Sequence, residues 1–336
     1  MTSSNLLNVV DRVEVLSVID NVCDLLLPSS KQARRRAAAG LEGEGIPSVE
    51  APLLVSGRAA DAPIAEHGLS FLVSVTSGQT RENVLFDTGS SVRGLAHNLD
   101  VLGVDTGMIE AIVLSHGHFD HTTGLNGLAE KLQSRLPLYV HPDVWCERRV
   151  AVPGREPFAL PTTREDKVRA AGFDVVESRS PSLLLGGNLL VTGEIERTTE
   201  FERGLPVHQV CREGEWQADP LVRDDQALVV DVRGKGLVVI TGCGHAGVIN
   251  TLRYARQLTG VDRIHAVIGG FHLAGPVFES IIEPTVEALC ELDPDVVAPT
   301  HCTGWRATHA LATAFGDRFI PGSVGTQYIL EAEGLS

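Results

Sequence analysis

The chain has 336 residues and 43% hydrophobic side chains, enough to bury a large core as one large domain or two small ones. Its 28 basic and 43 acidic residues leave a net charge of −15, with no basic stripe beyond Lys31 to Arg36, so nucleic-acid phosphate is not the expected partner; small molecules or metals are. The six cysteines form no Cys-x-x-Cys pair and read as reduced thiols of a cytoplasmic protein, and neither a secretory signal nor an apolar run long enough to span a membrane is evident.

In chain order, Val13 to Ile19 is a β-branched strand closed by Asp20-Asn21. Between residues 28 and 66 the composition shifts to Arg, Ala, Gly and Pro, which predicts a long loop inserted in a single domain: a lid over the site or a solvated excursion. As a lid, its cluster of Lys31, Arg34, Arg35 and Arg36 would steer an anionic small-molecule substrate. His67 to Val75 reads as a strand and Asn83 to Phe86 as its hairpin partner, ending in Asp87-Thr88-Gly89. Val92, Leu95, Leu99 and Leu102 recur at a helical period, stopped by Gly103.

The next stretch concentrates the chemistry. Ala111 to Leu114 reads as a short buried strand and Thr122 to Leu136 as a helix, so His116, His118, Asp120 and His121 fall on the loop between them, where a metal site belongs. Alternation sends His116, His118 and Asp120 to one side and His121 elsewhere, so the segment can feed two neighbouring ions. Leu138 to Val140 reads as a strand and Arg164 to Ala171 as a helix. Strands at 183–185, 189–192, 227–232 and 237–240 follow, joined by Gly-rich turns. Helices at 248–258 and 281–292 then alternate with strands at 264–268 and 296–298. Hairpins mixed with βα units predict an α/β fold of four layers, two sheets face to face with helices outside.

His116-Gly-His118-Phe-Asp120-His121 after an apolar strand, with Asp87-Thr88-Gly89 before it and Thr241-Gly242-Cys243-Gly244-His245 after it, resembles the metallo-β-lactamase superfamily. EHGLS (66–70), TGEIER (192–197), DDQAL (224–228), GGFHL (269–273) and PTHCTG (299–304) are similar to its branch of dihydropterin-methyl ribofuranosylaminobenzene phosphate synthases. The resemblance implies an αββα sandwich with a ligand at the end of each contributing strand. Cys243 stands where most members carry the bridging Asp, and His301 matches the final metal histidine. His245 is the expected third histidine of the first metal, with His208 as its rival, in a stretch without strand support. His272 is the other candidate for the last ligand and otherwise a substrate or general-acid residue. His67 is a candidate to reach the pocket, and Asp87 orients a ligand loop.

Two divalent ions follow, zinc first and iron or manganese as alternatives. A water bridging two such ions becomes a hydroxide near neutral pH, with Asp120 orienting it or taking its proton, so hydrolysis of a small-molecule ester, lactone, amide or phosphoester is the main expectation. The alternatives are a C–N condensing transferase of the synthase type and a non-catalytic or redox protein. A homodimer is admissible.

Overall fold

Strand Arg12–Ile19 is buried along nearly its whole length because it sits mid-sheet between two cores: Val13 and Val15 face one, Leu16 and Val18 the other. That pattern repeats through the protein, whose structure is a computed structural model describing residues 7–35 and 47–334. One sheet of eight strands runs in the order 173–177, 136–140, 111–113, 80–86, 70–77, 12–19, 326–331, 33–35. The facing sheet of seven runs 182–184, 189–191, 227–232, 236–241, 264–270, 296–300, with Val9–Val10 paired parallel to Ala227–Val232. Val73, Phe86 and Val113 of the first meet Val230, Ile240 and Ile268 of the second in the inter-sheet core.

Outside each sheet lies a helical layer. Helices Val248–Thr259, Ile282–Leu292 and Trp305–Phe315 pack on the seven-stranded sheet, and Gly94–Val101, Leu125–Ala129 and Glu165–Ala170 on the eight-stranded one. This is the predicted αββα arrangement. Among the described residues, no helix is long and apolar enough to cross a membrane.

The site follows from strand direction. Strands 80–86 and 111–113 pair parallel, as do 236–241, 264–270 and 296–300, so the turns at Asp87, His116, Cys243, His272 and His301 leave the sandwich at strand ends brought to one edge. Ligands of α/β sheets gather at such carboxyl ends. Asp87, His272 and His301 have φ of +61°, +45° and +50°, a left-handed backbone that costs about 1–3 kcal/mol each and clusters at functional sites.

Three expectations are corrected. The helix expected over Thr122–Leu136 is a single turn, Phe119–Thr122, then Leu125–Ala129, because Leu136–Val140 is a strand. Gly124 lies between the two pieces, and a Cβ there would come to 1.8 Å of the Thr88 carbonyl oxygen. The 28–66 stretch is not loop throughout: Ala33–Arg35 adds the edge strand beside Thr326–Glu331, and Ser48–Glu50 pairs with Arg58–Ala60. Residues 36–46, including Arg36, lie outside the described residues. Finally, His208 does have strand support: it opens strand His208–Arg212 of a separate four-stranded sheet.

Candidate metal centre

His118 caps the one-turn helix 119–122, whose His121 amide donates to the His118 carbonyl oxygen. The turn changes the predicted division of labour, because Asp120 swings to the side of His121 instead of following His116 and His118. Two donor clusters result. In the first, His118 Nδ1 stands 3.0 Å from His116 Nε2 and 3.1 Å from His245 Nε2. In the second, His301 Nε2 lies 3.4 Å from Asp120 Oδ2, and His121 Nε2 lies 3.7 Å from it. Cys243 Sγ reaches both: it is 3.1 Å from His121 Nε2 and 3.3 Å from His301 Nε2, and within 4.8 Å of the donor atoms of His116 and His245.

The outer ring atoms decide which nitrogens face inward. Ser115 Oγ donates to Asp87 Oδ2 at 2.7 Å, so His116 Nδ1–H donates to that hydroxyl at 2.8 Å, leaving Nε2 a bare acceptor. His208 Nδ1–H donates to the Asp219 carbonyl oxygen at 3.0 Å, so its Nε2 accepts from His118 Nε2–H at 3.0 Å and His118 Nδ1 is bare. His121 Nδ1–H donates to Asp87 Oδ2 at 2.7 Å and His301 Nδ1–H to Asn21 Oδ1 at 3.0 Å. Each of these four imidazoles is therefore oriented from behind with a nitrogen lone pair pointing at a shared centre, as metal-ligating histidines are. His208 is thereby an orienting group behind His118.

Burial, then neighbouring histidines or Arg148, pushes His116, His118 and His245 well below the usual imidazole range, so all three are neutral, the state a metal requires. For Asp120 burial works upward but His121 and His301 outweigh it, holding the carboxyl well below its ordinary value. His121 is raised to about 9: burial opposes its charge, and Asp87 and Asp120 overcome that. Burial pushes the Cys243 thiol up, which a bound cation would reverse. A buried set of imidazoles, one carboxylate and one thiol fits a divalent transition metal, which would take the place of the proton that Asp87 and Asp120 draw onto His121.

The Asp224-Asp225-Gln226 run ties the ligand loops together, a role the sequence reading missed although the motif was in view. Asp224 accepts from the Gly117 amide, Asp225 from the Ala246 amide, and Gln226 Nε2 donates to the Leu114 carbonyl oxygen. Asp87 accepts from the Ser115 amide and hydroxyl as well as from His121, the orienting role expected of it. A Cβ at Gly242 would lie 2.1 Å from Ser115 Oγ, so the residue before Cys243 has to be glycine.

Above the donors opens a cavity of about 810 Å³ lined by His67, Phe119, Leu160, Leu205, His272 and Trp305, among others. The His272 ring lies 4.1 Å from that of His245, tilted by 47°, with a buried Nδ1 that has no hydrogen-bond partner among the described residues. His67 Nε2 stands 3.6 Å from Asp120 Oδ2. None of the described residues of 28–66 lines the cavity, and Arg35 of the basic cluster is buried, donating to Pro321 O and Thr326 Oγ1. His97, His141, His265 and His309 do not line it either.

A sandwich of this kind with its ligands at the strand ends defines the metallo-β-lactamase class, and this chain belongs to the metallo-β-lactamase superfamily: residues 82–181 match the beta-lactamase superfamily domain. It is 32% identical over 262 residues, 76% of its length and 87% of the relative's, to the 7,8-dihydropterin-6-methyl-4-(beta-D-ribofuranosyl)-aminobenzene-5'-phosphate synthase of Methanocaldococcus jannaschii. It is also 29% identical over 274 residues, 81% of its length and 97% of the relative's, to the uncharacterized protein MJ0448 of that organism. Among solved structures it is similar to Tm1679, described as a metal-dependent hydrolase of the beta-lactamase superfamily, with a TM-score of 0.66 and 26% identity over 95% of this chain and 99% of that one. The synthase relative overturns the expectation of hydrolysis as the main activity: hydrolysis has support at the level of the superfamily, and the C–N condensing alternative has it from the relative.

Proposed function

We propose that the protein is a metal-dependent condensing enzyme that joins an activated pterin-methyl carbon to the nitrogen of an arylamine. The 32% identity to the synthase across 87% of that relative's length carries the reading. The donor clusters support two ions, one held by His116, His118 and His245 and the other by Asp120, His121 and His301, with Cys243 between. Nitrogen donors with one thiolate favour zinc, and iron or manganese suit the same histidines and carboxylate. Such ions supply positive charge that stabilises an anionic leaving group as it departs.

The chain's own residues would do the rest. An arylamine nitrogen sheds a proton as it forms the C–N bond, and His272, whose Nδ1 has no hydrogen-bond partner among the described residues, would take it. Phe119, Leu160, Leu205 and Trp305 offer apolar surface to flat rings and exclude water from the electrophile. Asp20, Asp24 and Asp120 line the cavity, and no Lys or Arg does among the described residues, so an anionic substrate group would find its positive charge in the metals.

The test is direct. As-isolated protein is incubated with a dihydropterin bearing a leaving group on its 6-methyl carbon and an aryl ribofuranosyl phosphate amine, and products are followed by mass spectrometry. The expected result is an adduct joined through nitrogen, lost on chelation and restored by metal. Leaving-group release with water as the sole acceptor overturns the reading.

A further inference from the structure

All six cysteines are free thiols, and two of them meet inside the metal centre. Cys243 Sγ and Cys302 Sγ lie within 4.8 Å of each other and of a donor atom of His272, and the Cys302 thiol donates to the Cys243 carbonyl oxygen at 3.3 Å. They are far apart in sequence and are brought together because strands 236–241 and 296–300 flank strand 264–270. Gly270, the last residue of that middle strand, makes the approach geometrically open: a Cβ there would come to 2.7 Å of Cys302 Sγ and 3.1 Å of Cys243 Cα. Both cysteines line the large cavity, so a small oxidant that enters it reaches them.

We propose that Cys243 and Cys302 form an oxidative modification site, which a hydroperoxide converts to a disulfide that disarms the metal centre. The cavity-lining thiol of Cys302 attacks the peroxide oxygen, the O–O bond breaks, and the alcohol (or water) leaves with Cys302 as the sulfenic acid. Cys243 then displaces water from that sulfenic acid to form the S–S bond. Two thiols lose two protons and two electrons; the peroxide gains them and ends as one alcohol and one water. The sulfurs close their gap by side-chain rotation towards the roughly 2.05 Å of a disulfide. Cys243 Sγ then no longer offers a thiolate lone pair to either donor cluster. The loss of metal rests on the proposed role of Cys243 as a ligand; the disulfide rests on the geometry of the two thiols alone.

The test treats as-isolated protein with hydrogen peroxide, unfolds it, alkylates the remaining thiols and maps the peptides by mass. Alkylated cysteines should fall from six to four, the missing pair should be Cys243 joined to Cys302, dithiothreitol should restore both, and metal should leave in step with the cross-link. Cys302→Ser should keep its metal at the same dose and form no cross-link, while Cys290→Ser, at an exposed position, should behave like the parent. If Cys302→Ser does not fold, the peptide map of the parent protein decides by itself. Six alkylated thiols after treatment, a different pairing, or oxidation stopping at a sulfinic acid overturns the site. A Cys243–Cys302 disulfide with metal fully retained overturns the disarming and the assignment of Cys243 as a ligand. Absence of the C–N adduct in the preceding assay leaves the peptide map unaffected.

Discussion

Replacing Asp224 by Asn tests whether the ligand loop is held by a buried charge pair. Asp224 is fully buried, Oδ2 accepts from the Gly117 amide at 2.8 Å, and Oδ1 accepts from Arg148 Nη2 at 2.7 Å with the arginine side chain only 2% exposed. Gly117 sits between His116 and His118, so this contact sets the spacing of two donors. Asn keeps the volume but loses the charge and one accepting oxygen, leaving either the Gly117 amide without its acceptor or the guanidinium without its buried counter-charge, with the Asp143 carbonyl oxygen at 2.9 Å still accepting from Nη2. Breaking a buried pair from one side costs about 3–5 kcal/mol. Asp219 Oδ2, 3.9 Å from Arg148 Nε, offsets part of that, so a loss of about 3 kcal/mol is expected. Urea unfolding of the chelator-treated protein should show it as a lowered midpoint at unchanged slope. Metal affinity, measured by competition with a chromogenic chelator, should fall about 10–100-fold, as it does when an outer partner is lost. Asp224→Leu with Arg148→Met should regain most of the stability, because the pair is replaced and not broken, yet not the affinity, since the Gly117 amide still lacks its acceptor. A cost below about 1 kcal/mol for Asp224→Asn, the size of an ordinary hydrogen bond, would refute the buried-pair argument.

His301→Ala should lose about one metal ion per chain by elemental analysis, whereas His272→Ala should keep full metal and lose about 10²–10⁴-fold in turnover; a loss under tenfold removes His272 from proton transfer. His208→Ala should retain the metal ions but bind them about 10–100-fold more weakly, because His118 Nε2 loses its acceptor; unchanged affinity would show that His208 does not orient it. Asp143 is lowered to about 2, since Arg212 and Arg179 outweigh the upward push of burial. Its folded pKa lies below the ordinary 3.8, so the stability it contributes is complete above pH 4 and lost as pH falls towards 2. Arg179 and Arg212 are 50% and 37% exposed, so screening reduces that contribution to about 1 kcal/mol. Asp143→Asn should flatten the acid limb of a stability-against-pH curve by that amount, and an unchanged limb contradicts the assignment.

Much of the sandwich was legible because its central strands are buried on both faces and read as largely apolar runs: Ala227–Val232 has the bounds read from its sequence, with Asp231 its one polar residue. The run 122–136 misled because its helical period extends past the turn where Gly124 meets the Thr88 carbonyl, a contact made by a residue distant in sequence. The 28–66 stretch has the composition of a loop, yet Ala33–Arg35 becomes a strand because Thr326–Glu331 offers a free edge, and Arg35 is buried by residues from the other end of the chain.

The sequence by itself determined the chemistry at the centre. Histidines, an aspartate and a cysteine just after apolar strands are legible because strand ends and residue types are local properties. Only the tertiary structure decided much of their grouping: Asp120 with His121 and His301, His208 behind His118 and not in place of His245, and Cys302 beside Cys243. The reason is physical. Which donors converge depends on which strands pair parallel and how one turn of helix rotates Asp120, and those are settled by packing between segments well separated in the chain.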